Sequence, residues 1–576
     1  MRPLPHLITS FPERPESLTA VRFKREGQWI SWTWKEYFDN IEACFYFLKS
    51  IDLKSHDRVA LFANNCIEWV LVDLACQCLG AETVAIYPNC SDEDLQHILT
   101  ESNPKVIFCG NSSLKERLPK SLSSSSYSFA SLKNSKEDFD FWKSLDESLK
   151  SSTKSSSEQF KSSCLKCSLD QIATVVFTSG TSGLPKGLCL SQKQVISELQ
   201  DVSLAFPITA EDRTLSFLPY AHILGRVEMW LSAYCGFTLC ICDSIDRVKK
   251  DLLENSPTVL IAVPRIFEKI YASVLTKLKA SSIHRMVENL EKKGFLASLS
   301  MAPARILLQK KVQQGLREAL GGELKYAISG GAPLSKEVSN FFKDCEVLLL
   351  EGYGLTETTG AICVNTPDTH QFGTVGKPLG DVQIKLAEDG EILVKSDKVF
   401  KCGLNSEENP EAVDSLGFLH TGDVGEWTSN GFLRITDRKK NLIKTSGGKY
   451  VAPQRIENLF KKFPLVSHVL IHGDQRKFIV ALIALDPTEL KEWALRKNIP
   501  FSKVSDLPHA PQVQKKVSEI VREVNGDLAS FESIKKFHIL DRDFSIEEGE
   551  LTPSLKLRRK VCEAKYKSVI DQLYGM

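Results

Sequence analysis

Through the first 120 residues, short apolar runs alternate with longer amphipathic stretches. Arg58-Val-Ala-Leu-Phe-Ala63, Gly80-Ala-Glu-Thr-Val-Ala-Ile-Tyr87 and Val106-Ile-Phe-Cys109 read as strands. Helices are expected over 36–48, over 67–78 and from Ser91, a fitting N-cap, onward. Strand, helix, strand, helix, strand is the order of a parallel sheet with crossover helices. The same order returns later, with strands at 214–218, 237–242, 258–263, 324–329 and 347–350, and long charged helices over 264–320. From Thr374 to Ser396 the pattern shortens to alternating strands at 382–386 and 391–394 with Gly turns, a small β-barrel or meander. After Asp437 it becomes α+β, with a helix over 453–460 and strands at 466–471 and 478–484.

These shifts predict an α/β protein. A large N-terminal domain, 1–436, holds two α/β sheets plus a small β-barrel. A hinge linker, 437–444, leads to a small mobile α+β C-terminal domain, 445–576. One stretch breaks the pattern. Residues 121–168 are rich in Ser and Lys, with Ser runs at 123–126 and 155–157. That composition predicts a flexible surface insertion whose removal leaves catalysis intact.

At 576 residues the chain can build large buried cores. Its 73 basic and 72 acidic residues nearly cancel, so no global field recruits nucleic acid. Sixteen cysteines without a secretory leader read as reduced thiols in a cytoplasmic protein. Cys164-Leu-Lys-Cys167 has no second pair, which argues against zinc. The longest uncharged apolar run, 229–242, falls short of the roughly 20 residues a spanning helix needs. A peripheral membrane contact is left open.

Five motifs carry candidate chemistry. In the first, Val175, Val176 and Phe177 end a strand. Thr178, Ser179, Gly180, Thr181, Ser182 and Gly183 follow, closed by Leu184-Pro-Lys186-Gly187. Glycine backbone N–H groups and hydroxyls suit a polyphosphate. The spacing is not that of a Walker A loop, and Gly187 stands where a metal-binding hydroxyl would be. An ordinary Ser/Gly loop would look similar.

The second motif, Glu351-Gly-Tyr-Gly-Leu-Thr-Glu-Thr-Thr359, is expected at the carboxyl end of strand 347–350, where ligands sit in open α/β sheets. Tyr353 offers a flat face for a base. Thr356 and Glu357 supply the oxygen ligands that Mg²⁺ prefers, although a helix N-terminal acid would read alike. The third is Thr421-Gly-Asp423, a carboxylate suited to vicinal hydroxyls. The fourth runs Asp437-Arg-Lys-Lys-Asn-Leu-Ile-Lys444 and continues through Ser446-Gly-Gly-Lys-Tyr450. The fifth is Glu550-Leu-Thr-Pro-Ser-Leu-Lys556, otherwise readable as a solvated tail.

In this order the five resemble the AMP-forming adenylating enzymes, over roughly residues 30 to 565. Leu218-Pro-Tyr-Ala-His-Ile-Leu-Gly-Arg-Val227, Ala262-Val-Pro-Arg265 and Tyr326-Ala-Ile-Ser-Gly-Gly-Ala-Pro-Leu334 are most similar to long-chain fatty acid–CoA ligases. The resemblance implies ATP-dependent activation of a fatty acid through an acyl-adenylate, then transfer to CoA, with Mg²⁺ as cofactor.

It also implies roles. Thr178 to Gly183 and Lys186 would hold the ATP β- and γ-phosphates. Gly330, Gly331, Ala332 and Tyr353 would line the adenine and acyl side. Thr356 and Glu357 would sit at the α-phosphate and metal, Asp423 and Arg438 at the ribose, and Lys556 between carboxylate and α-phosphate. Gly447 and Gly448 would flank the pantetheine, with Lys440 as the hinge and His222 as a pocket residue or a core histidine. Asn441 departs from the family's frequent Asp, and Leu188-Cys-Leu-Ser191 from its usual VxxxH. An acyl carrier protein as acceptor, or a non-catalytic nucleotide- or lipid-binding paralogue, are the rival readings.

Overall fold

A computed structural model describes residues 1–120, 126–128, 141–178, 184–280, 302–400, 402–404 and 412–575. In the N-terminal half, α1 (Trp34–Ser50) starts from a capping box in which Thr33 and Glu36 satisfy each other's orphan backbone N–H groups. Helix α2 (Ile67–Leu79) is apolar almost all round and nearly wholly buried. Helix α3 (Asp92–Ser102) is capped by Ser91, whose hydroxyl accepts from the Asp94 N–H.

These helices flank a seven-stranded sheet. Its centre is parallel: Arg58–Phe62 lies between Glu82–Ile86 and Val106–Cys109, and Glu82–Ile86 also pairs with β1 (Ile172–Thr178). Beyond β1 the sheet changes hand, because β2 (Lys186–Ser191) returns antiparallel. The phosphate-type loop therefore joins a hairpin, not a strand to a helix. Cys402–Gly403 completes this edge.

The second sheet has nine strands. Thr238–Ile241, Arg213–Ser216, Val259–Ala262, β3 (Tyr326–Ser329) and β4 (Leu348–Leu355) run parallel in that spatial order. Here the structure corrects the expected strand end at 350. β4 continues through Glu351-Gly-Tyr-Gly-Leu and pairs antiparallel with β5 (Gly360–Val364), with an irregularity between Tyr353 and Gly354. A Cβ at Gly354 would lie 1.9 Å from the Gly360 carbonyl oxygen, so only glycine lets the strands approach this way.

The Ser-rich stretch also departs from expectation. Helices α4 (Phe141–Ser151) and α5 (Lys154–Lys166) occupy its described part and bury Phe141, Leu145, Phe160 and Cys164 completely or nearly so. Phe160 packs edge-on to Phe38 at 5.4 Å and Phe45 at 5.1 Å, and the Ser163 hydroxyl donates to the Cys78 carbonyl. Apolar residues four apart put one greasy stripe on each helix, while Ser151, Ser155 and Ser162 are exposed. Residues 121–125 and 129–140 lie outside the described part.

The two sheets are joined through a buried ion pair. Helix α6 (Gln192–Ala205) and helix α7 (Ile223–Cys235) pack together, and Arg226 of α7 reaches Asp73 of α2. Both side chains are wholly buried. Asp73 also accepts from Trp230, Gln77 and Thr83, and the guanidinium lies over the Trp69 and Trp230 rings at 4.7 and 5.0 Å. Arg226 bonds Asp73 and Thr83 through Nη2 alone, so this buried pair fixes geometry more than it adds stability.

Further along, Gln383–Leu386, Glu391–Lys395, β6 (Leu419–Trp427) and β7 (Leu433–Arg438) form a four-stranded antiparallel sheet, the meander form of the small β element. Beyond it, Val466–His472, Ile479–Leu485 and Ile534–Ile539 make a three-stranded sheet with its own apolar cores. All 16 cysteines are free thiols. No helix among the described residues is long and apolar enough to cross a membrane.

Because α5 is part of the core, Phe160→Ala should cost about 3–5 kcal/mol, the usual range for a fully buried Phe. Removing 148–163 should prevent folding altogether. Urea denaturation checks this, and an unchanged midpoint for Phe160→Ala would restore the reading of a loose insert.

Candidate active site

The first motif frames the site from one edge. Thr178 and Lys186 are the register partners at the loop end of the β1–β2 hairpin, and Lys186 is exposed there. Ser179, Gly180, Thr181, Ser182 and Gly183 lie outside the described residues. The loop's exit is held from the side, where the His97 ring on α3 hydrogen-bonds the Pro185 carbonyl at 2.9 Å.

Opposite, Thr356–Thr358 form a single 3₁₀ turn between β4 and β5. Thr356 and Glu357 are half-buried, and among the described residues the Glu357 carboxylate makes no hydrogen bond or ion pair. Its backbone is fixed, since the Phe400 N–H donates to the Glu357 carbonyl at 2.8 Å. A buried cation network lies behind this turn. Lys398 contacts Glu198 at 3.0 Å, Asp201 at 2.9 Å and the Ala361 carbonyl at 2.8 Å. Glu198 in turn accepts from the Ala361 N–H, and the Thr359 hydroxyl donates to the Lys398 carbonyl. Burial opposes the Lys398 charge, but the two carboxylates outweigh it and raise its pKa.

Asp423 is the centre of the site. It is 5% exposed and accepts from the Tyr353 hydroxyl at 2.7 Å and from Arg438 Nε at 2.7 Å. Strands β6 and β7 make this possible, since Asp423 and Arg438 are direct register partners. Tyr353 thus uses its hydroxyl as well as its flat face. Burial, then Asp423, push its phenol far up, so it stays a donor.

Lys556 enters the same cleft from the C-terminal part of the chain. Its side chain keeps an open face to solvent, yet desolvation of the ammonium, then repulsion from Arg438, lower its pKa, while Asp423 and Glu357 pull it back up. His222, half-buried as the N-cap of α7, takes the Leu224 N–H on Nδ1. Burial, then Lys556, lower it to about 4, so it is a neutral imidazole at physiological pH. Gly330, Gly331 and Ala332 follow the end of β3, with Gly331 at a positive φ of 78°.

Tyr353 and Arg438 thus meet at Asp423, and Lys556 lies within electrostatic reach of Arg438, Asp423, Glu357 and His222. Gly447 and Gly448 do not join them. They form the exposed tip of a hairpin between Ile443–Lys444 and Tyr450–Val451 that bonds to Asp474 and Arg476. Lys439 is bound to Asp389 and Glu391 of the small sheet, and Lys439–Asn441 is one 3₁₀ turn.

Sequence reasoning did not find Lys398, Glu198 or Asp201. Nothing in Ser396-Asp-Lys398 marks a buried cation whose partner lies 200 residues away. It also passed over Glu351, a half-buried carboxyl at the start of the motif that desolvation raises to about 7.

Residues 9–402 match the AMP-binding enzyme family, and residues 440–576 match the AMP-binding enzyme C-terminal domain. Long-chain-fatty-acid–CoA ligase FadD15 of Mycobacterium bovis is 31% identical over 96% of this chain and 93% of its own. Peroxisomal long chain acyl-CoA synthetase 7 of Arabidopsis thaliana is 29% identical, over 99% and 85%. Among solved structures, o-succinylbenzoate CoA synthetase from Bacillus subtilis, in complex with its acyl-adenylate intermediate, superposes with a TM-score of 0.69. It covers 97% of each chain at 21% identity. The adenylation domain of a carboxylate reductase from Mycobacterium chelonae reaches 0.76, covering 100% and 91% at 20% identity.

The raised Glu351 pKa gives a signed prediction. The protonated form belongs to the fold, so its stabilisation is complete below the unfolded value of 4.5 and is lost as pH rises through about 7. Glu351→Gln keeps the shape without the titration. Its urea midpoint should gain on wild type between pH 5.5 and 8.5, and a constant difference between the two proteins across that range would refute the assignment.

Proposed function

The chain belongs to the AMP-binding enzyme family, and within it we propose an AMP-forming long-chain fatty acid–CoA ligase. The fatty carboxylate attacks the α-phosphorus of ATP, and the bond to pyrophosphate breaks. The acyl-adenylate is then attacked at its carbonyl by the CoA thiol, and AMP leaves. The relatives, a long-chain-fatty-acid–CoA ligase and a long chain acyl-CoA synthetase, support both the long chain and CoA as acceptor. Nothing favours a carrier protein.

The observation that carries the reading is the convergence of Lys556 on Asp423, Arg438 and Glu357 from a different part of the chain. Both reactants of the first step are anions, so cations must offset their repulsion before they can meet. Lys556 is placed to lie between carboxylate and α-phosphate. Its lowered pKa reflects partial desolvation and then repulsion from Arg438, and two incoming anions would relieve both.

Lys186 and the loop from Thr178 to Gly183 take the β- and γ-phosphates. Gly330, Gly331, Ala332 and Tyr353 line the adenine and acyl side, with His222 as a neutral wall. Thr356 sits at the α-phosphate. The Asp423 oxygens spend one lone pair each on Tyr353 and Arg438 and keep others for the ribose hydroxyls.

Glu357 fits a magnesium ligand, being an oxygen donor without a protein partner among the described residues; the ion would neutralise charge on the phosphates.

The second step needs the Gly447-Gly448 hairpin where Lys556 stands. Lys439 is anchored to the small sheet, so the pivot falls after it, at Lys440. On this reading residues 437–444 are the linker between a body of 1–436 and a mobile domain of 445–576.

Pyrophosphate release measured over fatty acids of increasing length, with and without CoA, tests the substrate class. Lys556→Ala should lose about 100- to 1000-fold in adenylate formation, the scale of losing one preorganised charge partner. It should still convert supplied acyl-adenylate and CoA to thioester. Equal losses in the two half-reactions would contradict the assigned role.

A further inference from the structure

Helix α3 touches two parts of the machinery that are far apart in sequence. On one face it carries Asp94 and His97, three residues apart and so neighbours on the helix surface. His97 holds the Pro185 carbonyl, one residue before Lys186. Asp94 pairs with Arg558 at 2.9 Å, with side chains 6% and 17% exposed. The preceding turn adds a second tie, from the Asn89 amide to the Pro553 carbonyl at 3.3 Å.

Arg558 and Lys556 belong to one tight hairpin. Leu551 and Leu557 bridge, Thr552 N–H bonds the Lys556 carbonyl, and Arg558 N–H bonds the Glu550 carbonyl. Leu555, at its tip, holds a φ of 62°, a conformation that a non-glycine residue keeps only under constraint. Fixing Arg558 at the base therefore aims Lys556 two residues before it. The same helix also holds the exit of the phosphate loop.

We propose that Asp94 and Arg558 are positioning residues: their ion pair latches the Lys556 hairpin onto the large domain for adenylation and must break before the thioester step. The proposal rests on the ligase reading for its consequence in catalysis, but the latch itself can be tested without substrate. Desolvation makes the pair strong enough to hold a docked surface, and two groups are few enough to release.

Asp94→Asn and Arg558→Gln in the full-length chain are the variants. Hydrogen exchange of 551–558 should speed up in each, with the urea midpoint unchanged. Adenylate formation should fall about tenfold, the scale of one coupled charge pair. Thioester formation from supplied acyl-adenylate should hold or rise. The double variant should be no worse than either single one, and Arg558→Lys should recover part of the loss. Unchanged exchange at 551–558, additive losses, or an equal fall in both half-reactions would overturn the latch. A wild-type chain inactive on fatty acids would count against the ligase reading alone, and the exchange result would still decide the latch.

Discussion

The Asp423 carboxylate is shared by three parts of the chain. Tyr353 brings it the glycine-rich strand of the nine-stranded sheet, Arg438 brings the end of β7, and Lys556 approaches within electrostatic reach from the C-terminal part of the chain. A buried acid held by two donors cannot move without breaking both. It therefore fixes how Tyr353 and Arg438 are held against each other. The cost of burying Asp423 is offset by Arg438, whose own charge burial would otherwise suppress.

Around that centre, charged pairs serve as fixtures more than as sources of stability. Arg226 with Asp73 sets one sheet against the other, and Lys398 with Glu198 and Asp201 sets the turn that carries Glu357. Neither pair can be halved cheaply, because a lone buried charge is costly. What differs is the pair between Asp94 and Arg558, which spans two apolar cores instead of lying within one. Interior pairs make the site rigid; this one would be the pair that releases under the proposed latch.

Much of the architecture was legible because fully buried parallel strands are continuous apolar runs. Val106–Cys109 is read to the residue, and Ser91 caps its helix as expected. The end of β4 is read five residues too early, at 350, because an extended strand through Glu351-Gly-Tyr-Gly-Leu has no apolar run to mark it; Gly354 there serves a close approach to Gly360. Serine misled the reading over 141–166, where Phe141 with Leu145 and Phe160 with Cys164 already carried the spacing of four that marks a buried helix face. In the site, hydroxyls, glycines and isolated charges within ordered motifs were visible. Lys398, Asp94 and Arg558 were not, because a charged residue becomes structural only through a partner that folding supplies. The Arg558 partner is 464 residues away.

The central claim is that the carboxylate itself becomes bonded to the α-phosphorus. A fatty acid labelled with ¹⁸O in its carboxylate, turned over with ATP, magnesium and CoA, reports on it directly. Attack on the α-phosphorus leaves one labelled oxygen on AMP, since the thiol later breaks the bond between carbonyl carbon and that oxygen. The account predicts labelled AMP and unlabelled pyrophosphate. Label recovered in inorganic phosphate, with ADP as the nucleotide product, would contradict it.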